Sequence, residues 1–189
     1  MGDIVLAGST SGTTTLTPAA VSGTTTLTLP ATTGTVITTG STGQVINKAS
    51  LPTGSVLQVV QASSAGGSTA SLTFTDMGLS ASITPTSNTS KILVQVNGVY
   101  RAAVALRAGF SIVRGSTNIQ SATEMVILPS ASVTNNSYYL TVLDSPATTS
   151  STTYKVQFQS NSTGTVYTND AGTVAVGNIN YITLFEVAA

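Results

Sequence analysis

Residues 153–159 read Thr-Tyr-Lys-Val-Gln-Phe-Gln, and apolar and polar side chains alternate along this stretch without a break. Successive side chains of an extended chain point to opposite faces, so the apolar members share one face: Tyr154, Val156 and Phe158. This alternation is typical of a β-strand with one face in a core and the other in water. The stretch therefore predicts a sheet that packs against a second layer of structure.

Several other short segments have the same character, and they are separated by turns rich in Gly, Asn, Ser and Pro. The predicted strands are Val56–Gln61, Leu72–Thr75, Ala81–Thr84, Ile92–Asn97, Phe110–Arg114, Tyr138–Leu143, Thr153–Gln159 and Tyr181–Val187. No window shows a 3.6-residue amphipathic period. Eight or more short strands predict an all-β, antiparallel sandwich or barrel over residues 52–189.

The last predicted strand is apolar on both faces. Ile182 and Leu184 point to one side of it, and Tyr181, Phe185 and Val187 point to the other. A strand with two apolar faces is usually covered on both. We therefore expect the face of Tyr181, Phe185 and Val187 to contact a neighbouring subunit.

Residues 1–45 contain one charged side chain and no aromatic one, and they carry an internal repeat. Ser-Gly-Thr-Thr-Thr-Leu-Thr at 11–17 recurs at 22–28, and a degenerate third copy begins at residue 34. The period is eleven residues, which places glycines at the turns and Leu or Ile at a fixed phase. The repeat positions are Gly12, Leu16, Gly23, Leu27, Gly34 and Ile37.

A single repeat unit has too few apolar side chains to fold by itself. One Leu or Ile buries little surface, whereas ordering each residue of the unit costs about 1–2 kcal/mol of backbone entropy. We expect residues 1–45 to be an extended β-repeat arm that sister chains or a docking surface keep ordered. A disordered Thr-rich linker is the alternative. Residues 46–51 would connect the arm to the domain.

The composition excludes several classes of function. The chain has no Cys, His or Trp, and only twelve of its 189 residues are charged, six of each sign. A zinc finger, a thiol nucleophile, a Ser-His-Asp triad and a disulfide framework are therefore ruled out. Six scattered basic residues give no footprint for a nucleic-acid backbone. No apolar run approaches the roughly 20 residues of a membrane-spanning helix, so we expect no membrane insertion.

The scarcity of charge also bears on assembly. Thr occurs 35 times and Ser 25 times, and the net charge is zero. A protein with so few charges tends to self-associate in water. We therefore expect an obligate oligomer, with a monomer that has a hydroxyl-rich surface as the alternative.

The carboxylates give no catalytic or metal site. Asp76, Asp144 and Asp170 each have turn-like neighbours, as in Asp76-Met77-Gly78, where Asp commonly caps its own backbone. No Asp-x-Asp-x-Asp loop, P-loop, dinucleotide fingerprint or Gly-x-Ser-x-Gly elbow is present. We expect no catalytic residue, no cofactor and no metal ligand.

Two further groups of side chains are candidate contact residues. Arg101, Arg107 and Arg114 could bind an anionic glycan or a capsid carboxylate, or could pair between subunits with Glu124, Asp144 or Glu186; Arg101 and Arg107 are assigned to the candidate trimer interface. Tyr138 and Tyr139 are adjacent in a strand, so one of them is expected in the core.

Five segments carry a resemblance to a known group of proteins. SGTTTLTPAAVSGTTTLTLPATTGTV (11–36) resembles a repeat in fibre and virion-surface proteins of tailed phages, including cyanophages. Four segments resemble the C-terminal head of the same proteins, namely SKILVQV (90–96), GFSIVRGST (109–117), LDSPATTSSTTYKVQF (143–158) and ITLFEVAA (182–189). The resemblance implies a jelly-roll head similar to tumour-necrosis-factor-like trimers, and a homotrimer. It brings no catalytic residue with it.

These observations lead to one functional expectation and its alternatives. We expect a non-enzymatic homotrimer on the virion surface that decorates and cements the capsid, because the arm is short and has no recognisable tail-docking region. Its partners would be its own copies and the major capsid protein or tail proteins. The first alternative is a short tail fibre or spike that binds host-surface glycan. A bacterial surface lectin or adhesin is the second, although the N-terminus lacks a signal-peptide pattern.

Overall fold

The computed structural model describes residues 4–7, 10–16, 51–102, 107–122, 134–160, 164–168 and 179–189. The chain divides into two compact units, Met1–Val45 and Ile46–Ala189. Each unit is described separately below.

The described part of the first unit is a β-hairpin. Strand β1 (Ile4–Ala7) pairs antiparallel with β2 (Thr13–Leu16), and Ile4 lies opposite Leu16. Gly12 precedes β2 with a φ of 82°, a left-handed conformation that glycine adopts without strain. A strand after Gly12 matches the pattern of the first repeat, whereas the pairing with residues 4–7 of the same chain had no sequence signal.

The second unit consists of ten strands in its described part, and no helix occurs there. The strands are β3 (Val56–Ser64), β4 (Ser68–Thr69), β5 (Thr75–Ile83), β6 (Lys91–Ala102), β7 (Ala108–Arg114), β8 (Thr117–Ala122), β9 (Thr134–Asp144), β10 (Thr152–Ser160), β11 (Val166–Tyr167) and β12 (Asn180–Val187). In these residues no helix is therefore available to cross a lipid bilayer.

The strands form two antiparallel sheets. The four-stranded sheet has the order β5-β10-β7-β8. In the six-stranded sheet β3, β12, β6 and β9 lie side by side, while the short β11 pairs with the end of β6 and β4 pairs with β11. The prediction of an all-β, antiparallel fold is confirmed.

The two sheets enclose one hydrophobic core. Tyr154, Val156 and Phe158 are buried as their alternation predicts, and they lie on β10 in the four-stranded sheet. Val94, Val96, Ile182 and Leu184 reach the same core from the six-stranded sheet, and each is completely buried. Alternate residues of both sheets thus face inward, as in a β-sandwich.

Aromatic rings join the sheets across the core. Phe110 of β7 stacks on Tyr138 of β9 with ring centroids 4.1 Å apart and ring planes 9° apart. Tyr100 of β6 meets Phe110 edge-on at 5.5 Å. Tyr138 is 2% exposed and its neighbour Tyr139 is 53% exposed, which confirms that only one of the two tyrosines belongs to the core.

A buried polar network surrounds the Tyr138 hydroxyl. That hydroxyl donates to Asn180 Oδ1 at 2.9 Å, and Asn180 Nδ2 donates to the Thr168 carbonyl at 2.8 Å. Burial raises the pKa of Tyr138, so its hydroxyl stays a donor. Gly98 leaves the space that this network occupies, because a Cβ there would overlap Asn180 Oδ1 and lie 2.8 Å from Tyr138 Cε1.

One predicted pair of strands is wrong. Leu72–Thr75 and Ala81–Thr84 were expected to be separate strands, but β5 is a single strand that begins at Thr75. Leu72 lies in a bend and is 64% exposed. A register irregularity opposite Val156/Gln157 coincides with Gly78, whose φ is 77°, so a bulge lets the strand continue through an apparent turn.

We predict that Gly98→Ala destabilises the fold by about 1–3 kcal/mol, because the added methyl group has no room beside Asn180 and Tyr138. Gly67→Ala is the matched control, since a Cβ at Gly67 meets nothing within 4 Å. Denaturant unfolding of both variants measures the difference. Equal stability of the two variants would contradict the close packing at Gly98.

Candidate functional site

The most distinctive surface in the described residues is the outer side of the six-stranded sheet. We define the outer face as twelve residues of β3, β12, β6 and β9 whose side chains point away from the core. They are Val59, Gln61, Ser63, Tyr181, Thr183, Phe185, Leu93, Gln95, Asn97, Tyr139, Thr141 and Leu143. None of the twelve carries a charge, and the exposed Lys91 lies next to Leu93 on the same side of β6, at the border of this face.

An apolar row crosses the outer face from edge to edge. Phe185 of β12 lies opposite both Val59 of β3 and Leu93 of β6, and Leu93 lies opposite Leu143 of β9. Val59 is 54% exposed and Leu143 is 53% exposed. Cross-strand neighbours of this kind form a continuous apolar stripe, which makes this surface a candidate for contact with a partner.

The other rows of the outer face are neutral and polar. Gln61 Nε2 donates to Thr183 Oγ1 at 3.0 Å in the middle row. The next row places Tyr181 opposite Asn97, and Asn97 opposite Tyr139. Amides, hydroxyls and phenol groups can be buried against a partner at low cost when their hydrogen bonds are satisfied, whereas a charge is costly to bury unless it is paired or strongly hydrogen-bonded.

The outer side of the four-stranded sheet is different. Lys155 Nζ and Asp76 Oδ2 form an ion pair of 2.9 Å there, and Gln157 Nε2 donates to Asp76 Oδ1 at 2.7 Å. The Ser82 and Thr153 hydroxyls are 2.7 Å apart. Charges and hydroxyls make the β5 and β10 part of this side suited to contact with water, whereas Ser111 and Val113 of β7 on the same side are buried. The two sides of the sandwich are therefore chemically distinct.

The structure brings together part of the predicted interface. Tyr181 and Phe185 belong to the outer face, and Val187 follows them on the same side of β12 opposite Lys91. Arg101 lies at the far end of β6, with its guanidinium 5.1 Å from the centre of the Tyr167 ring. Arg107 immediately precedes β7 of the four-stranded sheet, so nearness in sequence to Arg101 did not place it on the outer face.

Of the predicted arm residues, the structure describes two. Gly12 forms the turn before β2, and Leu16 is the last residue of β2. Four arm positions fall outside the described residues: Gly23, Leu27, Gly34 and Ile37.

Arg114 forms its ion pair within the chain. Its Nη1 lies 2.7 Å from Asp144 Oδ2, and the Tyr154 hydroxyl donates to the same oxygen at 2.7 Å. Burial raises the pKa of Tyr154, and the hydrogen bond to Asp144 raises it further. Arg114 thus pairs with Asp144 inside one chain, whereas a pairing between subunits had been expected. The ion pair joins the last residue of β7 in one sheet to the last residue of β9 in the other.

The turn role expected for Asp76 is wrong. Asp76 lies inside β5, and the carboxylate binds side chains of the neighbouring strand β10. Hydrogen bonds from Gln157 and Lys155 hold the pKa of Asp76 below its ordinary value. Asp144 likewise binds Arg114 and Tyr154.

Glu186 is a buried carboxylate, which sequence reasoning missed. It is 0% exposed, and it accepts hydrogen bonds from Thr86 N at 2.6 Å, Thr86 Oγ1 at 2.7 Å and Gln58 Nε2 at 2.6 Å. Burial opposes its ionisation, but the hydrogen bonds from Thr86 and Gln58 outweigh burial and lower the pKa of Glu186. It therefore fastens the β5–β6 loop to β3 and β12, where pairing with an arginine of another subunit had been expected.

Within the described segments, no three acidic, His or Cys side chains come together as a metal site would require. No protein-family model matches the chain, and a comparison with curated proteins finds no match to its sequence.

We predict that Glu186→Gln destabilises the protein by about 1–3 kcal/mol near neutral pH, because an amide group would then face the donors of Thr86 and Gln58. A lowered folded-state pKa gives stability that is present above the ordinary value of 4.5 and is lost as pH falls through the folded-state value. The difference in stability between wild type and variant should therefore narrow as the pH falls below 4.5.

Asp76→Asn is the matched control for this prediction. The Asp76 side chain is 56% exposed, so its ion pair with Lys155 contributes less than about 1 kcal/mol. Thermal unfolding at several pH values and one fixed protein concentration provides the measurement. If the difference in stability between wild type and Glu186→Gln is as large at acidic pH as at neutral pH, the role of the ionised Glu186 is refuted.

Proposed function

We propose that this protein is a non-enzymatic structural protein of a tailed-phage virion that forms a homotrimer on the particle surface and decorates the capsid. The observation that carries the proposal is the uncharged outer face with its apolar row of Val59, Phe185, Leu93 and Leu143. The occupant of this face is a second copy of the chain. The resemblance of five segments to phage fibre and virion-surface proteins supports the proposed location on a phage particle.

The strand order supports the finer fold assignment, a jelly roll. Eight strands form two four-stranded layers, β5-β10-β7-β8 and β3-β12-β6-β9. The chain passes between the layers at most of its connections, for example from β5 to β6 and from β9 to β10. This arrangement agrees with the double sheet of a jelly roll and supports that assignment.

The size of the outer face agrees with a role at the centre of a larger contact. Four strands about 4.8 Å apart and five residues of about 3.4 Å cover on the order of 300 Å². A stable interface buries about 800 Å² on each partner. Neighbouring residues on the edges of β3 and β9 would supply the rest.

The hairpin of β1 and β2 supports the proposal that residues 1–45 form an arm that needs a partner surface. Each of its strands has four residues, and an isolated two-stranded hairpin is at best marginally stable in water. Val5, Thr13 and Thr15 are exposed. Contact with a sister chain or with the particle would stabilise the hairpin and fasten the protein to its lattice.

We predict a native mass three times that of the 19.0 kDa chain. Leu143→Lys should reduce this mass to that of a single chain, because a lysine in the apolar row would be buried without a partner. Leu143 is already 53% exposed, so the fold itself should tolerate the change. Native mass spectrometry measures the outcome.

Ser80→Lys is the matched control for the mass measurement, since Ser80 is an exposed strand residue on the outer side of the four-stranded sheet. It should remain trimeric. A wild-type mass equal to that of one chain would contradict the proposed homotrimer. A Leu143→Lys protein that stays trimeric would show that the contact between copies lies elsewhere.

We predict that electron microscopy of the virion places the protein on the capsid lattice, and that deletion of residues 1–45 removes it from the particle. A variant without the arm should lose attachment because the hairpin provides the docking strands. Density confined to the tail would contradict decoration of the capsid and favour the short-fibre alternative. Full occupancy by the truncated chain would refute docking by the arm.

A further inference from the structure

A surface cleft lies where the β7–β8 turn meets the loop between β9 and β10. It has a volume of about 430 Å³, within the range of about 300–1,000 Å³ that is usual for small-molecule sites. Its lining residues are Arg114, Gly115, Pro146, Thr148, Ser151, Thr152 and Thr153. Four of these seven carry a hydroxyl group.

The floor of the cleft is held rigidly. Arg114 Nη1 donates to Asp144 Oδ1 at 2.9 Å and Oδ2 at 2.7 Å, and it also reaches the Ser145 carbonyl at 3.2 Å. Gly115 N donates to the Thr153 carbonyl at 3.0 Å. These bonds join the turn to both ends of the loop, so a ligand would meet a site that is already ordered.

The loop backbone adopts a conformation that a side chain rarely takes. Ala147 has a φ of 53°, and it lies between the two lining residues Pro146 and Thr148. A non-glycine residue in the left-handed region costs on the order of 1 kcal/mol, and such strain collects at ligand-binding sites. Here it turns the chain so that the side chains on either side of Ala147 line the same cleft.

Two hydroxyls of the cleft can each form a further hydrogen bond, one as a donor and the other as an acceptor. Thr148 Oγ1 accepts a bond from Ser150 N at 3.0 Å, which leaves its own proton to donate. Thr152 Oγ1 donates to the Ser150 carbonyl at 3.1 Å, which leaves its lone pairs to accept. A sugar hydroxyl can both donate and accept a hydrogen bond, so it can use the free donor of Thr148 and the free acceptor of Thr152.

The charge of the cleft favours a neutral ligand. Arg114 is the one ionisable lining residue, and Asp144 neutralises it at 2.7 Å. An anionic group would meet the Asp144 carboxylate beside the guanidinium and gain little. The described bonds of Arg114 all use Nη1, so its other N–H groups can still donate to an uncharged oxygen.

We propose that this cleft binds a neutral pyranose sugar of a surface polysaccharide. The ring packs against Pro146, and its hydroxyls bond to Thr148, Thr152 and Arg114. This site depends neither on the trimer nor on capsid or tail location, so it can fail or succeed independently of the proposed function.

The test is an NMR titration of the intact protein with maltose, lactose, chitobiose and mannose, and with glucuronic acid as the acidic comparison. We expect binding of at least one neutral sugar and none of glucuronic acid. Thr148→Val and Thr152→Val should each weaken it about three- to tenfold, as expected for one lost hydrogen bond. Ser151→Phe should abolish binding by filling the cleft, and it removes no described hydrogen bond.

Thr149→Val is the matched control, because Thr149 is exposed in the same loop and does not line the cleft. It should bind sugar as the wild type does, and thermal unfolding verifies that every variant is folded. Binding of glucuronic acid alone, absence of binding to all five sugars, or unchanged binding by Ser151→Phe would each overturn the proposal.

Discussion

The stacked contact between Phe110 and Tyr138 is the interaction on which the sandwich depends. Phe110 lies on β7, a central strand of the four-stranded sheet, and Tyr138 lies on β9 of the other sheet. Their ring centroids are 4.1 Å apart, so the pair sets the spacing between the layers. The Tyr138 hydroxyl then binds Asn180 of β12, which reaches the Thr168 carbonyl. One side chain thus joins both layers and satisfies a polar group that would be costly to bury alone.

The inner faces determine the fold, whereas the two outer faces differ in what they can contact. The outer side of the four-stranded sheet carries the Asp76–Lys155 ion pair and several hydroxyls. These groups bond to one another within the chain, and water can also bond to them. The outer face of the six-stranded sheet presents Phe185 and Leu93 between two exposed apolar edges. Because the two sides share one core, the core alone does not require this asymmetry, and the proposed contact between copies of the chain rests on it.

The alternation of residues 153–159 was sufficient to predict β10 and its buried side, because the period of a strand is local. The same rule placed Tyr181 and Phe185 on one side of β12. It did not identify β5 as one strand, because the bulge at Gly78 interrupts the alternation and imitates a turn. Nearness in sequence grouped Arg107 with Arg101, although Arg101 lies on β6 of the six-stranded sheet and Arg107 precedes β7 of the four-stranded sheet.

Composition and strand alternation were enough to establish that the protein is all-β, that it has no Cys or His chemistry, and that β12 is apolar on both faces. These properties depend on composition and on neighbours one or two residues apart. Three findings came from the fold alone: Val59, Phe185, Leu93 and Leu143 form one row, Glu186 is buried among Thr86 and Gln58, and Arg114 meets Asp144. The reason is that each of these contacts joins residues distant in sequence, and their pairing follows from strand order and register, which no local pattern encodes.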